Sequence, residues 1–239
     1  MDKCYEIKAV NKEEGEIYIY KEIYSWAGRD SEYGVSAKNF ERELRELGDI
    51  KTLNIYINSP GGDVFEGQAM YNILKRKSKT CNVIVHIDGL SASIASVITM
   101  AGDKVIMPAN AMMMIHRSSC YVYGNTNELI KQAEVLKKVD KAIKSAYLEH
   151  CNGKLDEETL ESWLDSGDTW LTADECFQYG LCDEITDSIE IAAKYDEKSL
   201  SNLNNVPDRF KNIFKKNKEK IDEEAQILIN KVNTMSKMW

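Results

Sequence analysis

The sequence predicts an α/β protein built from successive β-α-β units. Two observations carry this reading. Short β-branched or apolar runs recur between residues 15 and 115, and helical stretches separate them. Strands that alternate with helices in this way imply a parallel sheet. Two of the runs also end at glycine-bearing turn signals, at residues 58–62 and at Gly89, as strands leading into helices do.

The elements follow in order. Residues 15–20 alternate and read as a strand. Residues from Ser36 open an amphipathic helix with Phe40, Leu44 and Leu47 at helical spacing. The strand at 53–57 ends in Asn58-Ser59-Pro60-Gly61-Gly62, and a helix follows with Ala69, Ile73 and Leu74 on its apolar side. Lys75, Arg76 and Lys77 close that helix, where cations complement its dipole. Residues 83–87 form a β-branched strand, with a tight turn at Gly89 and an apolar helix through Val97 and Met100. Residues 104–107 and 111–115 read as short buried strands. From Asn125 to His150, Leu129, Ala133, Leu136, Val139, Ile143 and Ala146 recur at spacings of three and four, which predicts a long helix. Thr172-Ala173-Asp174-Glu175 is a capping box, and Gly180 supplies the matching stop. After Ser188 the chain turns Lys-, Glu- and Asn-rich, yet Phe210, Phe214, Ile221, Ala225, Leu228 and Val232 can share one stripe. The domains expected are therefore 1–188 and a charged helical C-terminal extension, 189–239. The lysines of the extension read as a solvated face.

Composition narrows the function. The chain has 239 residues, 43% hydrophobic and 29% charged, with a net charge of −8. That suits one globular domain with an appendage and argues against nucleic acid or an anionic membrane as partner. No apolar run approaches the roughly 20 residues that span a bilayer, and residues 1–6 contain no apolar signal region. Six scattered cysteines without a C-x-x-C pair read as reduced packing thiols. Three histidines at irregular distances argue against a dedicated zinc site, and no metal and no cofactor is expected.

The chemistry concentrates around Gly89-Leu90-Ser91-Ala92-Ser93-Ile94-Ala95-Ser96. A serine at a strand-to-helix turn lies beside free backbone N–H groups and the positive end of a helix dipole, where a nucleophile and an oxyanion hole can be built. The ordinary alternative is that Ser91 or Ser93 merely caps the helix. His116 closes a buried strand, at a place where parallel sheets carry functional loops. A structural hydrogen bond is the plain alternative for it. His86, inside a strand, reads as a core or interface residue, and His150, ending a charged helix, as solvent-facing. Gly61-Gly62 lets the backbone approach a ligand and present an N–H, or simply forms a turn.

Four segments in order resemble the proteolytic subunit of the Clp protease family. They are Ile57-Asn58-Ser59-Pro60-Gly61-Gly62-Asp63-Val64, Gly89 to Ala95, Met114-Ile115-His116, and Trp170 to Ile185, which includes the capping box. The resemblance spans about residues 15–187. Asp63-Val64-Phe65-Glu66-Gly67 and Ser93-Ile94-Ala95-Ser96 lean toward phage-type members that act in head maturation. The family implies a Clp/crotonase-like spiral of β-α-β units with residues 125–150 as a handle helix joining stacked rings.

Carried over by position, the resemblance makes Ser93 the nucleophile, His116 the general base and Asp168 the acid that orients it. Gly62 and Ile94 become the oxyanion-hole donors, and Asp165 is the competing acid. Ser91 stands where alanine is common, and Arg117-Ser118-Ser119 replaces a segment that often carries proline. The activity implied is a serine endopeptidase, ATP-independent or ATPase-assisted, acting on protein or peptide substrates. Its partners would be its own copies, capsid or scaffold proteins, or a Clp ATPase, in the cytoplasm of a bacterium or a phage-infected host. Two other readings compete: a crotonase-type acyl-CoA enzyme, which needs no Ser-His-Asp set, and a ring scaffold without activity.

Overall fold

The structure, a computed structural model, describes residues 5–25, 34–188 and 203–207. The chain divides into two units, 1–192 and 193–239, and the described strands and helices all lie in the first. The stripe expected from Phe210 to Val232 lies outside the described residues.

A mixed sheet of eight strands carries the helices. Strand β1 (Tyr5–Ala9) forms an antiparallel hairpin with β2 (Glu14–Ile19). From β2 the chain makes three parallel crossovers. Helix α1 (Ala37–Glu46) leads to β3 (Thr52–Ser59), α2 (Val64–Lys77) to β4 (Asn82–Ala92), and α3 (Ile94–Thr99) to β5 (Lys104–Pro108). These are the β-α-β units that the alternating pattern predicts. Strand β6 (Met112–Ile115) pairs parallel with the end of β4 and antiparallel with β7 (Thr169–Thr172). Helices α4 (Thr126–Cys151) and α5 (Glu157–Asp165) precede β7. After it, α6 (Ala173–Tyr179) leads to β8 (Glu184–Thr186), which pairs parallel with β5.

The two sheet faces differ as the sequence alternation requires. Ile17, Ile19, Leu53, Ile55, Val83, Val85 and Ile87 are buried toward the helices. On the other face Tyr18, Tyr56 and His86 are half-buried and in register. Their rings stack, Tyr18 on Tyr56 and Tyr56 on His86, each pair at 4.7 Å. Strand β1, helix α5 and the short β7 and β8 have no clear signal in the sequence pattern, being short or strongly charged.

One correction concerns Gly89. The chain does not turn there: β4 runs on to Ala92. Gly89 lies at an irregularity where the β3–β4 register shifts from Ile57↔Ile87 to Ser59↔Ser91. The buried Asn58 side chain accepts the Leu90 N–H at 3.0 Å, so the displaced backbone donor keeps an acceptor. The β4 extension then pairs with β6 and carries the turn to Ser93.

Helix α4 begins on a capping box made by Asn125 and Glu128. Its second half buries Asp140, Ile143, Ala146, Tyr147 and Cys151, whereas Leu129, Ile130 and Val135 near its start are exposed. A second correction concerns His150. It is half-buried at the end of α4, and desolvation there holds its pKa below the ordinary imidazole value. The Thr172–Glu175 capping box and the left-handed Gly180 stop are both present on α6. No helix among the described residues is long and apolar enough to cross a membrane.

Candidate active site

Residues 89–102 are buried with one exception, Ser93, which is partly accessible. The reason is local backbone geometry. Ser93 joins β4 to α3 with φ 54° and ψ −130°, a conformation that L-residues rarely adopt. Its N–H donates to the Met114 carbonyl at 2.9 Å, and its own carbonyl accepts from Ser96 N at 3.0 Å and Ser96 Oγ at 2.5 Å. The strained turn is thus held from both sides. Although Ser93 stands at the N-cap of α3, its side chain makes no capping bond. The helix-cap reading therefore fails for Ser93.

Ser91 fails as a nucleophile for a different reason. It is fully buried, and its Oγ bonds the Thr99 hydroxyl at 2.8 Å.

The Oγ of Ser93 lies 2.7 Å from Nε2 of His116, and Nδ1 of His116 lies 3.0 Å from Oδ1 of Asp168. His116 follows directly on β6, which lies beside the end of β4, so two adjacent parallel strands deliver the serine and the histidine. Asp168 immediately precedes β7, the antiparallel neighbour of β6. The Asp168 side chain is 6% exposed and that of Asp165 is 65% exposed. Asp165 instead pairs with Arg117, at 2.6 Å from Nη2 and 3.0 Å from Nε. The competing acid is therefore occupied elsewhere. With Nδ1–H donating to Asp168, the lone pair on Nε2 can accept the serine proton.

Gly61 packs against this turn, and the next residue, Gly62, packs against the Ile23 backbone. Their φ angles are 96° and 144°. A Cβ on Gly61 would lie 2.6 Å from Ser93 Cβ and 2.7 Å from the Ala92 carbonyl oxygen, and one on Gly62 would lie 2.2 Å from the Ile23 carbonyl oxygen. Only glycine lets the β3–α2 loop come this close. The loop is pinned to the Ile23 backbone, where Ile23 N donates to Gly61 O at 2.9 Å and Asp63 N to Ile23 O at 2.7 Å. Ile94 is the first residue of α3, so its N–H has no acceptor within the helix. Of the two expected oxyanion donors, Ile94 directly follows Ser93, and Gly62 directly follows Gly61, the glycine that meets the turn.

The remaining titratable groups stand apart. Nε2 of His86 lies 3.3 Å from Oδ1 of Asn54, and burial holds the His86 pKa below its ordinary value. The five described cysteines are free. Burial pushes the thiols of Cys151 and Cys182 up to about 12, so they stay protonated and unreactive at neutral pH. Among the described residues no group of His, Cys, Asp and Glu side chains could hold a metal ion.

The sequence reading does not single out Asp140 and Tyr147, near the site, and for Arg117 it marks only a departure from the family pattern, not its partners. Asp140 is a buried carboxylate on the apolar side of α4 that bonds Ser118 and Arg117. Arg117 bridges to Glu161 and Asp165. Tyr147 bonds Ser96 inside the core. An aspartate between Val139 and Ile143, on the helix's apolar stripe, was the available signal for the first.

Comparisons with known proteins show which family the chain is similar to. The family model described as Clp protease matches residues 35–189. ATP-dependent Clp protease proteolytic subunits from two strains of Bacteroides fragilis are each 33% identical over 156 residues. The matches cover 63% of this chain and 72% and 68% of those proteins. A protein of the same description from Deinococcus radiodurans is 33% identical over 139 residues, 56% of this chain and 65% of its own length. The matched span contains Ser93, His116 and Asp168, and the chain belongs to the Clp protease family.

Proposed function

We propose that this chain is a serine endopeptidase in which Ser93 is the nucleophile, His116 the general base and Asp168 the acid that orients the histidine. The observation that carries the reading is the unbroken hydrogen-bond relay from Ser93 Oγ through both ring nitrogens of His116 to Asp168. Membership of a family whose curated relatives are named proteolytic subunits supports it.

The steps balance as acyl transfer. Ser93 Oγ bonds to the peptide carbonyl carbon while its proton passes to His116 Nε2, and the carbonyl π pair moves onto oxygen. The backbone N–H groups of Gly62 and Ile94 hold that oxyanion. Asp168 stabilises the imidazolium and fixes its tautomer. Collapse breaks the C–N bond, and His116 Nε2 returns the proton to the leaving amine. Water then enters with His116 as base, releases the carboxylic product and restores Ser93 Oγ–H.

A crotonase-type acyl-CoA reaction needs no such relay, and an inactive scaffold has no use for one. A serine-reactive fluorophosphonate probe separates the peptidase reading from the other two. It is expected to label the folded protein once, at Ser93 by peptide mapping. No adduct on folded protein would overturn the peptidase reading.

Residues 1–188 constitute the protease domain and 189–239 an extension. The assembly proposed is a stacked ring joined through α4, whose first half leaves Leu129, Ile130 and Val135 uncovered. For the physiological role we favour processing of phage capsid or scaffold proteins, on the Asp63–Gly67 and Ser93–Ser96 segments. The name of the relatives, ATP-dependent Clp protease proteolytic subunits, supports the alternative, a proteolytic subunit serving an unfoldase ATPase. Cleavage of a folded capsid or scaffold protein by the chain alone favours the first role. Strict dependence on an ATPase and ATP favours the second.

A further inference from the structure

The geometry points to Asp140 as a positioning residue for His116, an inference that rests on the peptidase reading above. Asp140 lies on α4 with 6% exposure. A buried carboxylate is costly unless its oxygens are paired, and an apolar residue at such a site is often at least as stable. The partners of this one are specific. Its Oδ1 accepts the Ser118 backbone N–H at 2.8 Å and the Ser118 hydroxyl at 2.6 Å, while Oδ2 accepts from Arg117 Nη1 at 3.2 Å. Arg117 and Ser118 are the two residues that follow His116.

That location matters because the chain leaves β6 at Ile115, and residues 116–124 belong to no strand or helix. No ladder holds the backbone just beyond the base. Carboxylates do so instead. His116 is tied to Asp168, Arg117 to Asp165 and Glu161, and Ser118 to Asp140. Asp140 is the buried member that grips main chain, so it resists rotation of the 116–118 segment. Such a rotation would swing Nε2 away from the Ser93 hydroxyl. Displacement of a reacting group by about 1 Å costs on the order of 100-fold in rate. Asp140 touches neither substrate nor the reacting atoms. It acts through the place it gives His116.

The test compares the parent with Asp140→Ala, Asp140→Asn and Ser118→Ala in the full chain. Each is assayed with a fluorogenic peptide for kcat and KM, after circular dichroism confirms the native fold. The fluorophosphonate reaction of the parent at Ser93 is run in parallel. A parent that does not label overturns the peptidase reading itself, a result separate from the behaviour of the variants. With a reactive parent, Asp140→Ala is expected to lower kcat about tenfold or more with KM within about twofold. Asp140→Asn keeps an acceptor oxygen and is expected to recover most of the loss. A natively folded Asp140→Ala with parental kcat overturns the proposal, as does an Asn variant as slow as Ala. If Asp140→Ala does not fold, Ser118→Ala decides. A severalfold fall in kcat at constant KM supports the positioning role, and parental kcat overturns it.

Discussion

The hydroxyl of Tyr147 lies 2.6 Å from Oγ of Ser96, inside the core, and Ser96 Oγ also donates to the carbonyl of Ser93 at 2.5 Å. Helix α4 is thereby tied to the strained turn that presents the candidate nucleophile. Tyr147 is fully buried, and desolvation pushes its phenol well above the ordinary value, so it stays protonated at any working pH. Tyr147→Phe removes the hydroxyl and keeps the ring. The expected result is a stability loss of about 1 kcal/mol, the net worth of one buried hydrogen bond, with a severalfold fall in kcat. Urea unfolding and a peptide assay on the same preparation check both parts.

The two aspartates of the α5–β7 region separate cleanly by environment, and their variants should separate as well. Asp168→Asn keeps the shape and loses the charge that selects the histidine tautomer, so kcat is expected to fall by about 10⁴. Asp165 is exposed and bound to Arg117, so Asp165→Asn is expected to stay within about threefold of the parent. Equal activity of Asp168→Asn and the parent would place the orienting acid elsewhere.

Acid should destabilise the fold through two histidines remote from the serine. His86 and His150 both have lowered pKa values, burial being the main cause in each. Their native forms stay neutral while unfolded imidazoles take up protons below the ordinary value of 6.5. The unfolded state then binds more protons, so this stability is present above pH 6.5 and is lost as the pH falls below it. Asp88, whose pKa burial raises, acts in the opposite sense on further acidification toward the carboxylate range. Urea midpoints at about pH 7.5, 6.5 and 5.5 are expected to decline in that order. A midpoint that rises across that series would contradict this account of the histidines.

Much of this arrangement was legible in the sequence because it is local. The β-branched runs, the Asn58–Gly62 turn and the Thr172–Glu175 box each encode their element within a few residues. The Ser93–His116 pairing was legible only through the family resemblance that the four ordered segments carry. What escaped is non-local or geometric. The register shift at Gly89 depends on Asn58 supplying a side-chain acceptor from the neighbouring strand, which no single-strand pattern reveals. His150 ends a charged helix and reads as solvated, yet its neighbourhood includes the Met100 backbone, contributed by the end of α3. The Asp140–Ser118 contact joins the segment after β6 to α4 across a stretch without periodicity. The expected stripe on α4 was real but served two ends, with Ile143 and Ala146 buried in this domain and Leu129 exposed.

That division of α4 predicts where assembly contacts lie. Leu129 and Ile130 are 43% and 57% exposed, and the preceding segment exposes Tyr121 and Tyr123 fully. A cluster of apolar groups of this kind marks an interface. Replacing Leu129 and Ile130 by Glu leaves the domain core untouched. Light scattering is expected to show smaller species with native circular dichroism and reduced peptidase activity. Parental assembly of the double variant would remove this half of α4 as the joining element.

The most direct measurement of the central claim is peptide hydrolysis by Ser93→Ala set against Ser91→Ala. The account predicts that Ser93→Ala loses activity by about 10⁴–10⁶ with fold and assembly intact. Ser91→Ala, which loses only the buried bond to Thr99, should keep near-parental kcat with a stability cost of about 1 kcal/mol. An active Ser93→Ala enzyme, or an inactive but folded Ser91→Ala enzyme, would contradict the assignment of the nucleophile.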